Sequence, residues 1–183
     1  METYPWNPNQ IETSLTRARW IFALLVLISI ALPLYFYPQL PARTASHFNL
    51  HGQVDGWNTR TTFVGFQIGI SLFLTLTTLG IIWLIKHASS ELINIPNKQY
   101  WLTPERKQYA YGIIELYLLW MMNLTFFLLL VVFYLVTLFN LKRFVLSPWS
   151  FFVPIGLYTI GIGVLLFKMF RAFKIPRNGE RTL

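Results

Sequence analysis

Tyr111-Gly-Ile-Ile-Glu-Leu-Tyr-Leu-Leu-Trp-Met-Met-Asn-Leu-Thr-Phe-Phe-Leu-Leu-Leu-Val-Val-Phe-Tyr-Leu-Val-Thr-Leu-Phe139 carries a single charged side chain, Glu115. A run of that length and composition reads as a membrane-crossing helix, because about 20 apolar residues rising ~1.5 Å each span roughly 30 Å of hydrocarbon. Three similar runs flank it, Trp20 to Tyr37, Phe63 to Ile85 and Phe151 to Phe170. In 183 residues, four such runs leave only short connections. The sequence therefore predicts one membrane domain over 1–183, with spans near 20–37, 63–85, 111–139 and 151–170. Loops fall at 38–62 and 86–110. The expected fold class is an all-α integral membrane protein, with four transmembrane helices and a short folded cap between the first two. The first run lacks a small-x-small cleavage site and is long for a signal sequence, so it too is read as a span.

Composition agrees: 55% of residues are hydrophobic and 12% charged, with a mean hydropathy of +0.49, whereas soluble domains carry about 25% charge. The excess of 15 Lys+Arg over 7 Asp+Glu gives a net charge of +8. These cations sit at the ends of apolar runs, where they meet anionic head groups, and no basic stripe or reading module points to nucleic acid. Without cysteine, disulfides, thiolate nucleophiles and thiolate metal sites are excluded. Eleven cations (Arg17, Arg19, Lys86, Lys98, Arg106, Lys107, Lys168, Arg171, Lys174, Arg177 and Arg181) belong to the termini and the 86–110 loop. Four (Arg43, Arg60, Lys142 and Arg143) belong to the other two loops. The positive-inside rule then predicts a multi-pass protein of the cytoplasmic membrane with both termini cytoplasmic and the 38–62 loop outside. Trp20, Trp57, Trp83, Trp101 and Trp149 lie near span ends and read as an interfacial aromatic belt.

Within the spans, Gly65-Phe-Gln-Ile-Gly69, continued by Gly80, offers a small-residue surface for close packing between helices of this chain. Pro33 and Pro154 predict kinks or a late helix start. Thr103-Pro104-Glu105 reads as N-cap, N1 proline and first-turn acid for the third span. An intramembrane acid must be paired, neutral or hydrated. Glu115 is therefore read first as an ion pair with a cation from another helix, Arg19, Lys86 and Lys168 lying at the same membrane face; a proton or ion site and a snorkelling unpaired acid are the alternatives. Asn123 is expected to hydrogen-bond between helices.

The loop Leu40-Pro-Ala-Arg-Thr-Ala-Ser-His-Phe-Asn-Leu-His-Gly-Gln-Val-Asp-Gly-Trp57 carries the most deliberate polar pattern. Asn49 to Gly52 suits a type I turn and Asp55-Gly56 a second turn, so the loop reads as a compact cap. Arg43 and Asp55 have opposite charges and are candidates to pair across it. His47, His51 and Asp55 are weak candidates for a metal, since the turn chemistry opposes the helix that would align them. The loop resembles the hallmark segment of the SdpI-like bacterial membrane family, at Leu40, Pro41, Arg43, His47, Phe48, Asn49, Gly52, Asp55, Gly56 and Trp57. Thr44 and Ala45 stand where that pattern usually has Ile and Pro. Asn94 to Arg106 is also similar to small members of the family. The resemblance implies binding, not catalysis: the best-known relative confers immunity to a secreted killing factor and signals with a cytoplasmic repressor.

With no nucleophile–base constellation, HExxH motif or phosphate loop in the chain, the expectation is a non-enzymatic protein without cofactor, embedded in the bilayer and binding a peptide, toxin or protein partner. Arg43, His47, Phe48, Asn49, Asp55 and Trp57 are the candidate partner-binding residues. Pro96, Asn97, Lys98, Tyr100 and Trp101 form a second candidate motif, read as a turn with aromatic anchoring or as a cytoplasmic docking site. The alternatives are a small accessory subunit of a larger membrane complex and, third, a metal-dependent membrane enzyme using His47 and Asp55.

Overall fold

The computed structural model describes residues 8–175. Helix α1 runs Pro8–Phe36, followed by a 3₁₀ turn at Tyr37–Gln39, strands β1 (Arg43–Phe48) and β2 (Val54–Thr59), and helix α2 (Arg60–His87). A one-turn helix α3 (Lys98–Trp101) precedes the long helices α4 (Lys107–Asn140) and α5 (Trp149–Ala172). Helices α1, α2, α4 and α5 are each long and apolar enough to cross a membrane. Successive connections make α1 and α4 run one way and α2 and α5 the other. One end of the bundle thus carries the hairpin and the other carries residues 88–106.

Helix α1 begins about three turns before the predicted span. Its first turns place Ile11, Leu15, Ala18 and Phe22, spaced four, three and four apart, on one buried stripe against Ala110, Ile113 and Phe126 of α4. That packing carries the helix beyond the apolar run, which needs only ~20 residues. Phe22 meets Phe126 edge-on at 5.5 Å. Helices α1 and α5 continue through Pro33 and Pro154.

The bundle interior is more polar than its rim. Ser29, Gln67, Ser71, Thr78, Glu115, Asn123 and Thr137 are buried on the facing stripes of α1, α2 and α4, while the exposed residues are largely Leu, Ile, Phe and Val. This is the arrangement hydrocarbon imposes, because polar side chains must find partners inside the protein. Asn123 Nδ2 donates to the Ala18 carbonyl across the α1–α4 seam at 3.1 Å.

Two sequence expectations are overturned in the helices. Gly65, Gly69 and Gly80 face outward, and a Cβ added at any of them would meet nothing within 4 Å. The close approach occurs instead at Gly161, where a Cβ would come within 2.6 Å of Leu124 Cδ2. The spacing of GxxxG is legible in a sequence, but which face the helix turns inward is set by the polar stripe Gln67, Ser71 and Thr78. The Thr103-Pro104-Glu105 segment does not cap α4. The N-cap is Arg106, and the Thr103 carbonyl accepts from the N–H groups of Arg106 and Lys107 at 3.0 and 2.9 Å in a turn ahead of the helix.

Candidate functional site

The predicted cap is an antiparallel β-hairpin, an element absent from the all-α expectation. Its tip is the turn foreseen at Asn49. The Gly52 N–H donates to the Asn49 carbonyl at 2.9 Å, and Asn49 Oδ1 accepts from the N–H groups of His51 and Gln53 at 2.9 and 3.0 Å. Gly52 closes the turn at φ +75°, where L side chains are strained. An added Cβ would also lie 3.2 Å from the Pro148 nitrogen, so the tip rests on the α4–α5 connection.

Two side chains, Asn140 and Phe48, fix the hairpin to the bundle. Asn140, at the end of α4, accepts from the Ala45 N–H at 2.7 Å and donates to the Ala45 carbonyl at 2.9 Å, as a neighbouring strand would. Proline, usual at this position in the resembling pattern, has no N–H to donate. Phe48 packs between Phe139 and Phe151, with ring centroids 5.3 and 5.6 Å away. Thr44 and Ala45 are fully buried, and the Thr44 hydroxyl donates to the Pro41 carbonyl at 2.9 Å. The side-chain amide of Asn140 was not among the sequence candidates, because a polar residue at a span end is unremarkable until its partner is known.

The register pairs Ala45 with Trp57. Since Ala45 turns its N–H and carbonyl toward Asn140, alternation along the strand turns those of Trp57 to the open outer edge of β2. Among the candidate binding residues, Arg43, His47, Asp55 and Trp57 are exposed. Arg43 lies over the Trp57 ring at 5.1 Å. It does not pair with Asp55, as charge alone suggested: the register places Arg43 opposite Thr59, and Asp55 takes His47 instead, with Nδ1 2.5 Å from Oδ1. An ionised carboxylate only accepts, so that nitrogen carries the proton. A Cβ at Gly56 would lie 2.7 Å from His47 Cβ, so Gly56 gives the histidine its path across the strand. No cluster of three His, Asp or Glu residues suited to a metal occurs among the described residues, and His51 stands apart from the His47–Asp55 pair.

Of the six candidate binding residues, Phe48 and Asn49 are therefore consumed in holding the hairpin. Arg43, His47, Asp55 and Trp57 remain available.

At the opposite end, Asn97 Nδ2 and Trp101 Nε1 both donate to the Phe173 carbonyl, at 2.8 and 2.9 Å. Phe173 is the C-cap of α5, so the two side chains satisfy a carbonyl that the helix leaves open. Trp101 is fully buried, stacked on Tyr109 at 5.8 Å and edge-on to Phe173. Its assignment to the interfacial belt is overturned: the sequence shows an indole near a span end but not the carbonyl that draws it inward. Tyr100 receives the Arg106 guanidinium at 4.1 Å, and Lys98 Nζ donates to the Glu91 carbonyl at 2.7 Å. Pro96 opens the turn, and Asn97 takes a left-handed φ of 54°.

Glu115 is buried beside two cations. Arg19 donates from Nε and Nη2 to Oε1, at 2.9 and 2.6 Å, and Lys86 Nζ lies 2.8 Å from Oε2. One acid on α4 thus ties together α1 and α2, using two of the three cations named from the sequence. Glu105, outside the helices, has its carboxyl held below the usual range, chiefly by a backbone N–H.

These features define a multi-pass helical membrane protein that carries a clamped β-hairpin between its first two spans. Residues 24–70, from within α1 through the hairpin into α2, match the family model of a domain of unknown function (DUF1648). No curated protein and no solved structure matches the chain.

Proposed function

We propose that the protein is a non-enzymatic, SdpI-like immunity or signalling protein of the bacterial cytoplasmic membrane, which binds a secreted peptide or protein partner through the outer face of its hairpin. The observation carrying this reading is the division of labour within the hairpin. Asn140, Phe48, Asn49 and Gly52 hold its backbone, while Arg43, His47, Asp55 and Trp57 stay exposed in fixed relation to one another. Preorganised side chains on a rigid element lose little entropy on binding, and an aromatic ring beside an arginine is a common binding anchor. The open edge of β2 adds backbone groups that an extended peptide can pair with. The 11-to-4 cation asymmetry supports an extracytoplasmic hairpin.

The test is survival of a bacterium sensitive to the killing factor that the SdpI-like relative neutralises. Expression of this chain is expected to raise survival, and His47→Ala, Asp55→Ala and Trp57→Ala to abolish the gain at equal membrane levels. Absence of any protection by the native chain, or undiminished protection by all three variants, contradicts the proposal.

A further inference from the structure

The facing stripes of α1, α2 and α4 enclose a small cavity lined in part by Ser29, Pro33, Gln67, Ser71 and Thr137. Gln67 is 2% exposed, and its Nε2 is buried without a hydrogen-bond partner among the described residues. In hydrocarbon surroundings such a donor is costly to leave unpaired. The acceptor side is supplied by α1. Pro33 has no N–H, so the carbonyl of Ser29, four residues earlier, lacks its usual helical donor. The Ser71 hydroxyl donates to the Gln67 carbonyl at 2.8 Å, which leaves its oxygen free to accept. The residues that carry this donor and these two acceptor oxygens, from two helices, thus line one cavity beside the proline-interrupted turn.

The volume decides what fits. The cavity measures about 10 Å³, near the lower limit for one water, which needs two to four polar partners. A hydrated ion or organic ligand is too large. We propose that this is an internal hydration site, in which one water accepts from Gln67 Nε2 and donates to the Ser29 carbonyl. It would join α1 to α2 where the proline opens the helix, as waters satisfy freed backbone groups at prolines in membrane helices.

The site is tested on the full chain in detergent, with glutamine side chains labelled with ¹⁵N and the Gln67 signal assigned by its loss in Gln67→Met. A rotating-frame water experiment, whose cross-peak sign separates dipolar contact from proton exchange, is expected to show dipolar transfer from water to the Gln67 amide. Pro33→Ala returns a donor to Ser29 and is expected to weaken that transfer. Gln67→Met is expected to lower the thermal midpoint by roughly 2–4 °C, the shift for about one net hydrogen bond in a domain of this size. Absence of a dipolar cross-peak in the native protein overturns the proposal. A dry, unpartnered amide would also make Gln67→Met raise the midpoint.

Discussion

Glu115 and Asn140 each join distant parts of the chain through more than one polar contact. Glu115 sits between cations whose side chains are 45% and 44% exposed, so after Glu115→Gln they can relax toward solvent but still lose their shared anion. We expect a loss of about 1–3 kcal/mol, below that for a fully buried pair because of this exposure. Glu115→Asp, which keeps the charge, should lose less in the same thermal denaturation. A neutral or stabilising Glu115→Gln would show that the cluster does not hold the bundle. Asn140→Ala removes both hydrogen bonds to Ala45 and leaves a buried N–H unpaired, at a cost of about 1–3 kcal/mol. Hydrogen exchange should then accelerate at the hairpin amides and leave the centre of α4 unchanged. Unaltered exchange in the hairpin would mean that Phe48 alone suffices as its anchor.

At the scale of elements, the spans were legible because each needs only an uninterrupted apolar run, and the hairpin tip because Asn49 and Gly52 carry their turn chemistry locally. The strands were not legible: Arg43–Phe48 and Val54–Thr59 lack a clear apolar alternation, and their pairing depends on Asn140, far along the chain. For the same reason the sequence does not show that Phe48 packs between Phe139 and Phe151. Trp101 and the GxxxG face failed likewise, since inward and outward are properties of the assembled bundle. Two substitutions probe the local geometry. Gly56→Ala drives a Cβ against His47 Cβ and should disturb the hairpin, whereas Gly65→Ala, inside α2 with open space around it, should stabilise by about 0.5–1 kcal/mol, the penalty glycine carries in a helix interior. Lys142 ends α4 in a left-handed conformation at φ 57°, with the Arg143 N–H bonded to the Leu138 carbonyl at 2.9 Å. That is the place of a C′ glycine. Lys142→Gly should therefore stabilise by about 0.5–1 kcal/mol, the strain a left-handed L residue carries less the entropy glycine adds to the unfolded chain. A lower midpoint would show that the lysine side chain contributes more than its backbone strain costs.

Across the whole molecule, a polar-cored bundle carries the hairpin at one end, and everything proposed for the hairpin requires that end to lie outside the cytoplasm. The absence of native cysteine permits a direct measurement in intact cells. Leu50 at the hairpin tip and Leu92 in the connection at the other end are equally open, at 78% exposure each. Single replacements Leu50→Cys and Leu92→Cys therefore report sidedness and not burial. An impermeant thiol reagent should label Leu50→Cys in intact cells and reach Leu92→Cys only after the membrane is opened. Labelling of Leu92→Cys in intact cells, with Leu50→Cys protected until lysis, would contradict the account.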